Sequence, residues 1–248
     1  MSRQLIARSP DLLRLQNEGY DVEIRGGFLL VKDVPYVTAT REIKRGILIS
    51  ALELSGDQTK RPENHVAMWT GEHPCHHDGK VIATIANPSA AQDLGDGIRA
   101  DFTFSAKAAY RDYHHKMTTY ISRICGEVQV IDPSVTAANF PAIATEEDES
   151  VFRYLDTASS RVGIGALNDR LAGQKIAIVG LGGTGSYVLD LVAKTCVAEI
   201  HLFDADVFSQ HNAFRSPGAA SIDDLQTKPS KLAYLAGIYN QMRRGIYT

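Results

Sequence analysis

The chain has 248 residues, of which 44% are hydrophobic and 22% charged, a composition typical of a globular protein with a packed core. Its net charge of -3 and the lack of any basic run argue against non-specific nucleic-acid binding. No apolar stretch is long enough to cross a membrane, and the N-terminus lacks the apolar core of a signal peptide. Cys75, Cys125 and Cys196 are widely spaced and odd in number, which argues against a disulfide scaffold and favours the cytoplasm.

The first half of the chain has mainly β patterns after one short helix. This helix is predicted to begin at Pro10, with Ser9 as its N-cap, and to end at Gly19. A hairpin is predicted over residues 22–31, because a Gly-Gly pair separates two apolar runs. Further strands are predicted at residues 36–40, 47–49, 65–69, 81–85 and 102–104, with a loop or a short turn of helix at 87–97.

The clearest helix of this half is predicted from Ser105, as its N-cap, to Cys125, with Gly126 just beyond its end. Its apolar face would carry Tyr110, Tyr113, Met117, Tyr120, Ile121 and Ile124. Prolines and an acidic run at residues 145–150 follow, and such a change of composition is typical of a domain boundary. We therefore expect a mainly β α+β domain at 1–150 and a second domain at 151–248.

Potential metal ligands are concentrated in the first half: His65, His73, Cys75, His76, His77, Asp78, His114 and His115. Zinc favours such donors, but no C-x-x-C or H-E-x-x-H spacing is present. A zinc site and a polar, histidine-rich loop therefore both remain open, and no residue is assigned to a metal. Cys75 is either a reactive thiol beside imidazoles or a buried cysteine.

The second half has an alternating pattern of helices and strands. Residues 151–171 are predicted to be helical, followed by a strand at 175–179, a glycine turn and an apolar helix. A second strand is predicted at 199–204, and a last helix from Pro229 through Tyr239. The β-α-β-α order predicts an α/β fold with a Rossmann-like parallel sheet in this half.

The glycine turn after the first of these strands has the spacing of a phosphate-binding loop. Gly180, Gly182 and Gly185 satisfy G-x-G-x-x-G, with an additional Gly183 and with Ser186 at the end of the loop. The first glycine permits the tight turn, the second lets backbone N–H groups approach a phosphate, and the third allows close packing of helix on strand. The helix N-terminus then offers unpaired N–H donors to an anion.

The residues after the second strand indicate which nucleotide is bound. Asp204 ends that strand, where a carboxylate can accept hydrogen bonds from ribose hydroxyls, an arrangement that alone favours a dinucleotide. Polar and basic residues follow it: Asp206, Asn212, Arg215, Lys228 and Lys231. A dehydrogenase needs little positive charge there, whereas a triphosphate that is about to lose pyrophosphate needs it. The cluster therefore favours ATP.

Together these features resemble the ThiF/MoeB family, over roughly the last hundred residues: Gly180-x-Gly182-Gly183-x-Gly185-Ser186, Asp204-x-Asp206-Val207, Asn212-x-x-Arg215 and a downstream lysine. This family includes the ubiquitin-activating enzymes, and its members use ATP and magnesium to adenylate the C-terminal carboxylate of a ubiquitin-like protein. The resemblance therefore implies a ThiF-type adenylyltransferase that uses ATP and Mg²⁺. Its partner would be a ubiquitin-like or sulfur-carrier protein.

The resemblance also implies roles for individual residues. It assigns Asp204 to the ribose, and Asn212 and Arg215 to the triphosphate. A lysine is assigned to the phosphates that are displaced, and two lysines remain candidates. Lys228 has the ungapped spacing from Arg215, whereas Lys231 better matches the start of the following helix and is preferred.

Two departures from the family pattern stand out. In the family, an Arg-Tyr-x-Arg signature places an arginine of the partner subunit on the ATP phosphates. Here Arg153-Tyr154 matches its start, but Asp156 occupies the second arginine position. The bridging arginine would then be Arg153 or Arg161, or be absent. The family's magnesium-binding aspartate, catalytic cysteine and zinc-binding cysteines would lie beyond Thr248, so we expect this chain to hold the first half of the family domain.

Other functions remain open beside adenylylation. The glycine turn and Asp204 alone would fit an NAD-dependent oxidoreductase, and Asp156 would fit a non-catalytic nucleotide-binding scaffold. Family members dimerise through the nucleotide domain, so a homodimer is implied. Residues 19–79 are loosely similar to domains that precede ThiF modules in bacterial ubiquitin-like operons, some of which resemble ubiquitin-conjugating proteins. This similarity implies partner recognition by residues 1–150.

Overall fold

The computed structural model describes residues 2–88 and 90–248. They form two compact units, one up to Pro141 and the other from Ala142 to Thr248. The domain boundary expected near residue 150 stays a prediction. In the described part of the chain, no helix is long and apolar enough to cross a membrane.

The first unit combines helices with an antiparallel sheet. Its helices are α1 (Ser2–Arg8), α2 (Pro10–Asn17) and α3 (Tyr113–Ile131). Its strands are β1 (Asp21–Arg25), β2 (Phe28–Val37), β3 (Ile43–Ala51), β4 (Leu54–Ser55), β5 (Gln58–Thr59), β6 (Val66–Thr70), β7 (Ala86–Asn87), β8 (Gln92–Gly95), β9 (Ile98–Ala100) and β10 (Phe102–Ser105). The main sheet has six strands in the order β1-β2-β3-β6-β10-β7, and β4-β5 and β8-β9 are separate two-stranded ladders.

The predicted hairpin over residues 22–31 is confirmed. Strands β1 and β2 pair antiparallel down to Arg25 opposite Phe28, which leaves Gly26 and Gly27 as the two-residue turn. Both glycines have positive φ, 55° and 79°, the backbone conformation that a tight hairpin turn of this kind requires. The strands predicted near residues 47–49, 65–69 and 102–104 are also present.

The core of the first unit lies between the sheet and helices α2 and α3. The rings of Trp69 and Phe104 on the sheet lie 6.0 Å apart, and Phe104 stacks on Tyr120 of α3 at 6.5 Å. Leu12 and Leu15 of α2 are fully buried in the same core. A second, smaller cluster, Leu30 with Ile49 and Ile98, is buried next to the β8-β9 ladder.

The position predicted for the long helix is wrong at both ends. Ser105 is the last residue of β10, and α3 begins at Tyr113, because the side chain of Asp112 caps it by accepting a hydrogen bond from the His115 N–H at 2.7 Å. Gly126 lies inside the helix, which continues to Ile131, shortly before Pro133. The predicted apolar face is buried from Tyr113 onwards.

Two smaller predictions about the first unit are also wrong. The predicted strand at 81–85 is mainly a turn, in which Ile82 and Ile85 are both buried. The predicted strand at 36–40 ends with β2 at Val37, and the turn that follows is closed by Thr38 Oγ1, which accepts from the Glu42 N–H at 3.1 Å. Helix α2 begins at Pro10 with Ser9 as its N-cap residue, as predicted, although the Ser9 hydroxyl accepts from the N–H of Thr59 and not from the helix.

The second unit has a parallel sheet of three strands in the order β11-β12-β13. Its helices are α4 (Ala158–Val162), α5 (Gly165–Leu171), α6 (Gly183–Ala193), α7 (Gln210–Ala213), α8 (Ile222–Gln226) and α9 (Lys231–Asn240). Its strands are β11 (Lys175–Val179), β12 (Glu199–Phe203) and β13 (Ile246–Tyr247). The predicted strands and the α/β pattern are confirmed, whereas residues 151–157 are not helical as predicted.

Helices α6 and α9 cover one face of the parallel sheet. Leu189 of α6 and Leu235 of α9 are fully buried against Ile178, Ile200 and Leu202 of the strands. Parallel strands place their carboxyl ends at the same edge of a sheet, where ligands bind in open α/β folds. The turns after β11 and β12 therefore meet at one edge, and this edge carries the candidate site.

Candidate functional site

The glycine turn connects β11 to α6. Gly180 follows β11 with a φ of 87°, a conformation that favours glycine, and its N–H donates to the carbonyl of Phe203 at 2.7 Å. Gly182 is the N-cap of α6, which begins at Gly183. The chain thus reverses from strand to helix within the three residues 180–182, next to the end of β12.

Gly185 is the point of closest approach between α6 and the turn. A Cβ atom at this position would lie 1.8 Å from the carbonyl oxygen of Gly180. No side chain fits there, so the third glycine allows the close packing that its spacing predicts. Ser186 is fully buried beside it and donates from Oγ to the carbonyl of Gly183 at 3.0 Å, so its hydroxyl stabilises the first turn of the helix.

The same turn offers unpaired hydrogen-bond donors. Within the described part of the chain, the N–H groups of Gly182, Gly183 and Thr184 have no acceptor. A Cβ atom at Gly182 would meet nothing within 4 Å, so the backbone is open to a ligand at this point. The turn also borders a groove of about 550 Å³, but the other walls of this groove are mainly apolar residues of β11, and Asp204, Arg215 and Lys231 do not line it. Unpaired N–H groups at a helix N-terminus are suited to an anion, so the turn itself is the candidate anion site.

Asp204 joins the end of β12 to this turn. Its Oδ2 accepts from the N–H of Leu181 at 2.6 Å, and its Oδ1 accepts from the N–H of Asp206 at 2.8 Å. Burial acts to raise the pKa of Asp204, but these hydrogen bonds and the charge of Lys231 hold it below its usual value. Asp204 is therefore ionised. Its hydrogen bond from Leu181 holds the glycine turn in place, and the spacing of the motif did not reveal this bond.

Lys231 is the lysine that the fold brings to these carboxylates. Its Nζ lies 2.6 Å from Oδ2 of Asp206 and 3.6 Å from Oδ1 of Asp204. Its backbone N–H also donates to the carbonyl of Asp206 at 2.9 Å, which places the start of α9 beside the end of β12. Lys228 is exposed, with a φ of 48°, and makes no ion pair within the described residues.

Asn212 and Arg215 approach the turn from the α7 segment. Asn212 is buried, and its Oδ1 accepts from both the N–H and the hydroxyl of Ser209 at 3.0 Å, which leaves its amide N–H groups as donors. The side chain of Arg215 lies next to Gly183: a Cβ atom built on Gly183 would be 3.8 Å from Cδ of Arg215. The guanidinium is exposed and forms no ion pair among the described residues. The fold thus gathers Lys231, Arg215 and the glycine turn.

Arg153 lies elsewhere in the second unit. Its Nε donates to the carbonyl of Asn240 at 2.6 Å, at the end of α9. Lys231 begins that ten-residue helix, so the two cations are roughly 15 Å apart along its axis. Within one chain, the structure does not bring Arg153 to the glycine turn, and its role in a partner subunit stays a prediction.

Asp156 has a structural role that the sequence did not predict. Its Oδ1 accepts from the N–H groups of Ala158 and Ser159 at 2.9 and 3.0 Å, and its Oδ2 accepts from the Ser159 hydroxyl. Asp156 directly precedes Thr157, the N-cap residue of α4, and its carboxylate satisfies the first two N–H groups of that helix. An arginine has no acceptor atom and could not make these contacts.

Two arginines near the end of the chain stabilise the second unit through hydrogen bonds to backbone carbonyls. The sequence analysis did not predict this role. Arg243 is fully buried and donates from Nε to the carbonyl of Arg244 at 2.9 Å and from Nη1 to that of Thr195 at 3.2 Å. Arg244 donates to the carbonyls of Thr145 and Ser150. These bonds hold the segments before α4 and after α6 in place. Every residue has a backbone carbonyl, so such acceptors cannot be recognised in the sequence.

Three histidines of the first unit are hydrogen-bonded to two glutamates. Glu127 accepts from Nδ1 of His76 at 2.8 Å and from Nδ1 of His77 at 2.9 Å, whereas His114 is hydrogen-bonded to Glu18 at 2.7 Å. Within residues 2–88 and 90–248, no group of three or more His, Cys, Asp or Glu could hold a metal ion. The arrangement gives no support to zinc and fits the polar-loop alternative.

Cys75 is buried, with 1% of its surface exposed, and its Sγ donates to the carbonyl of His73. Burial, together with the negative charges of Glu72 and Asp78, raises the pKa of the thiol. A reactive cysteine needs the opposite, a lowered pKa and access to solvent. Of the two interpretations left open for Cys75, the geometry favours a packed cysteine.

Two family models match this chain. The model described as a domain of unknown function, DUF6791, matches residues 10–157. The model of the ThiF family matches residues 157–236, a range that contains the glycine turn, Asp204, Asn212, Arg215 and Lys231. No curated protein and no solved structure was found to match the chain.

Proposed function

Since this chain belongs to the DUF6791 family and carries a ThiF family domain, we propose that it is an ATP-dependent adenylyltransferase. Its substrate would be the C-terminal carboxylate of a ubiquitin-like or sulfur-carrier protein, which becomes an acyl-adenylate. A Rossmann-like completion of the parallel sheet belongs to the same proposal. The observation that carries it is the meeting of Lys231, Arg215 and the unpaired N–H groups of the glycine turn at one edge of the sheet.

The arrangement of charge supports a triphosphate as the ligand. The N–H groups of Gly182 and Gly183 suit phosphate oxygens at the start of α6. Arg215 can contact two phosphate oxygens at once, and Lys231 supplies a point charge. Asp204 accepts two hydrogen bonds already, but a carboxylate has room for more, so a ribose hydroxyl remains a feasible partner.

In the proposed reaction, a carboxylate oxygen of the partner attacks the α-phosphorus of ATP. A new bond forms between that oxygen and phosphorus, the bond from the α-phosphorus to the bridging oxygen breaks, and pyrophosphate leaves with the electron pair. Lys231, Arg215 and Asn212 would stabilise the charge that develops on the phosphates, and positioning would supply much of the remaining acceleration. Mg²⁺, when bound, would neutralise phosphate charge in the same step.

The homodimer is a further part of the proposal. Helix α6 exposes three large side chains, Tyr187, Val188 and Leu191, at 52%, 41% and 67% of their surface. A second copy of the chain would cover such a stripe, and it would bring Arg153 as the bridging arginine. Partner recognition by the first unit and a cytoplasmic location are likewise proposals.

The test of nucleotide choice uses Gly182, where a side chain has room. Its φ of -71° suits any residue, and nothing lies within 4 Å of a Cβ there, so neither Gly182→Ala nor Gly182→Asp strains the fold. We expect Gly182→Asp to abolish ATP binding measured by calorimetric titration, because its carboxylate repels the phosphates. Gly182→Ala is the matched control, and we expect it to weaken ATP binding less than Gly182→Asp does, because it adds a methyl group without a charge.

The same titration with NAD provides the contrary outcome. The proposal requires that ATP with Mg²⁺ binds more tightly than NAD. Tighter binding of NAD would overturn it and favour an oxidoreductase. Equal ATP affinity of the Gly182→Asp and Gly182→Ala variants would also overturn it, because the glycine turn would then not hold the phosphates.

A further inference from the structure

A second concentration of positive charge lies in the first unit, far along the chain from the glycine turn. It borders a hollow of about 390 Å³ at the start of helices α2 and α3. Four basic side chains line this hollow: Arg14, Lys60, Arg61 and Arg111. All four are exposed, so water stabilises them while the hollow is empty.

The carboxylates of the hollow are engaged by backbone groups. Asp11 accepts from the N–H of Leu12 at 3.0 Å, from the hydroxyl of Thr59 at 2.6 Å and from the N–H of Tyr113 at 3.0 Å. Asp112 caps α3 through its bond from the His115 N–H. Hydrogen bonds of this kind hold the two carboxylates against the helix ends, so they form no ion pair with the basic side chains of the hollow.

The basic side chains differ in how much of their charge is already paired. Arg14 forms an ion pair with Glu18 at 2.8 Å. Arg61 donates from Nε to the carbonyl of Tyr110 at 2.7 Å, which leaves its terminal N–H groups available and holds the guanidinium in place. Lys60 and Arg111 take part in no ion pair within residues 2–88 and 90–248. The four basic side chains of the hollow outnumber its two carboxylates, those of Asp11 and Asp112, so its net charge is positive.

We propose that this hollow binds a phosphate-type oxyanion that carries two or more negative charges. Guanidinium groups bind two oxygens of such an anion in a fork, and a lysine supplies a point charge, a combination suited to phosphate. The hollow is open to solvent, and its volume of about 390 Å³ has room for a small anion such as pyrophosphate together with its water. Every residue that lines the hollow belongs to the first unit, whereas the glycine turn belongs to the second.

The test is a calorimetric titration of the full chain with inorganic pyrophosphate. The double variant Lys60→Gln/Arg111→Gln removes two of the unpaired cations, and we expect it to weaken binding by roughly tenfold or more. The variant Arg123→Gln/Arg170→Gln is the matched control, because it removes two exposed arginines outside the hollow and makes the same change of net charge. We expect the control to bind as the wild type does.

The glycine turn is excluded as the source of the signal by repeating the titration with Gly182→Asp. We expect pyrophosphate binding at the hollow to persist in that variant, even where ATP binding is lost. A failure of the wild type to bind pyrophosphate, equal weakening in the two double variants, or loss of all binding in Gly182→Asp would overturn the proposal. Arg61→Gln is an additional single variant should the double variant not fold, and unchanged binding there would also contradict it.

Discussion

The Nζ atom of Lys231 lies 2.6 Å from the Oδ2 atom of Asp206. The lysine side chain is 7% exposed and the aspartate side chain 73%, so a nearly buried cation pairs with a carboxylate at the surface. Lys231 also lies 3.6 Å from Asp204, whose carboxylate accepts from the N–H of Leu181 in the glycine turn. Under the proposed function, an incoming phosphate would replace the exposed carboxylate of Asp206. The relationship also distinguishes Lys231 from Lys228, which sequence spacing alone did not do.

The first prediction concerns these two lysines. Lys231→Gln should weaken ATP binding by about tenfold to a hundredfold, because a charge-assisted bond to phosphate is lost at a nearly buried position. Lys228→Gln removes the same charge from an exposed turn and should change the affinity less than twofold, a change of about 0.4 kcal/mol or less. Calorimetric titration with ATP and Mg²⁺ compares them. A larger loss in Lys228→Gln would reassign the phosphate contact to that residue.

The second prediction compares two helical glycines of the second unit. Gly185→Ala should destabilise the unit by roughly 1–3 kcal/mol or more, because its Cβ would meet the Gly180 carbonyl at 1.8 Å. Gly237 lies in α9, where a Cβ meets nothing within 4 Å, so Gly237→Ala should stabilise it by about 0.5–1 kcal/mol. Amide hydrogen exchange of β11 and β12 measures both changes. Equal protection in the two variants would show that the close approach at Gly185 is not present.

The third prediction is a pH dependence of the first unit. Burial acts to raise the pKa of Glu127, but hydrogen bonds from His76 and His77 lower it to about 2 in the folded protein. A carboxylate with a lowered folded pKa stabilises the protein above its unfolded pKa, near 4.5, and this contribution is lost as the pH falls towards 2. Glu127→Gln should therefore cost stability at pH 6 and much less near pH 2.

Trp69 provides the measurement for this prediction. It is the single tryptophan of the chain and is fully buried in the first unit, so its fluorescence in urea reports the unfolding of that unit. Glu63→Gln is the control, because Glu63 is exposed and forms no ion pair among the described residues. The free energy of unfolding is compared between Glu127→Gln and the wild type. If their difference stays constant from pH 6 to pH 2, the prediction is contradicted.

The sequence predicted the second unit better than the first, for physical reasons. The β11-turn-α6 motif is set by local requirements, such as the positive φ of Gly180 and the absence of a side chain at Gly185, and both are visible as glycines. The start of α3 depended on a competition between Ser105 and Asp112. Pairing of Ser105 with Val66 in the sheet decided it, and such pairing is not local in sequence.

The details of the site needed the structure. The spacing predicted Asp204 as the acidic residue after the glycine turn. Only the fold shows that its Oδ2 accepts a hydrogen bond from the N–H of Leu181 at 2.6 Å. Asp156 stands where the family signature has an arginine, and only the fold shows that its carboxylate accepts from the first two N–H groups of α4. Contacts between side chains and backbone groups distant in sequence have no residue pattern of their own, which is why both roles were missed.

The most direct test of the central proposal is ATP–pyrophosphate exchange with the protein and a panel of ubiquitin-like and sulfur-carrier proteins. Formation of an acyl-adenylate is reversible, so labelled pyrophosphate should enter ATP only when a cognate partner with a free C-terminal carboxylate is present. We predict exchange with such a partner and its loss in the Gly182→Asp variant. No exchange with any member of the panel, together with no binding of ATP, would contradict the proposal.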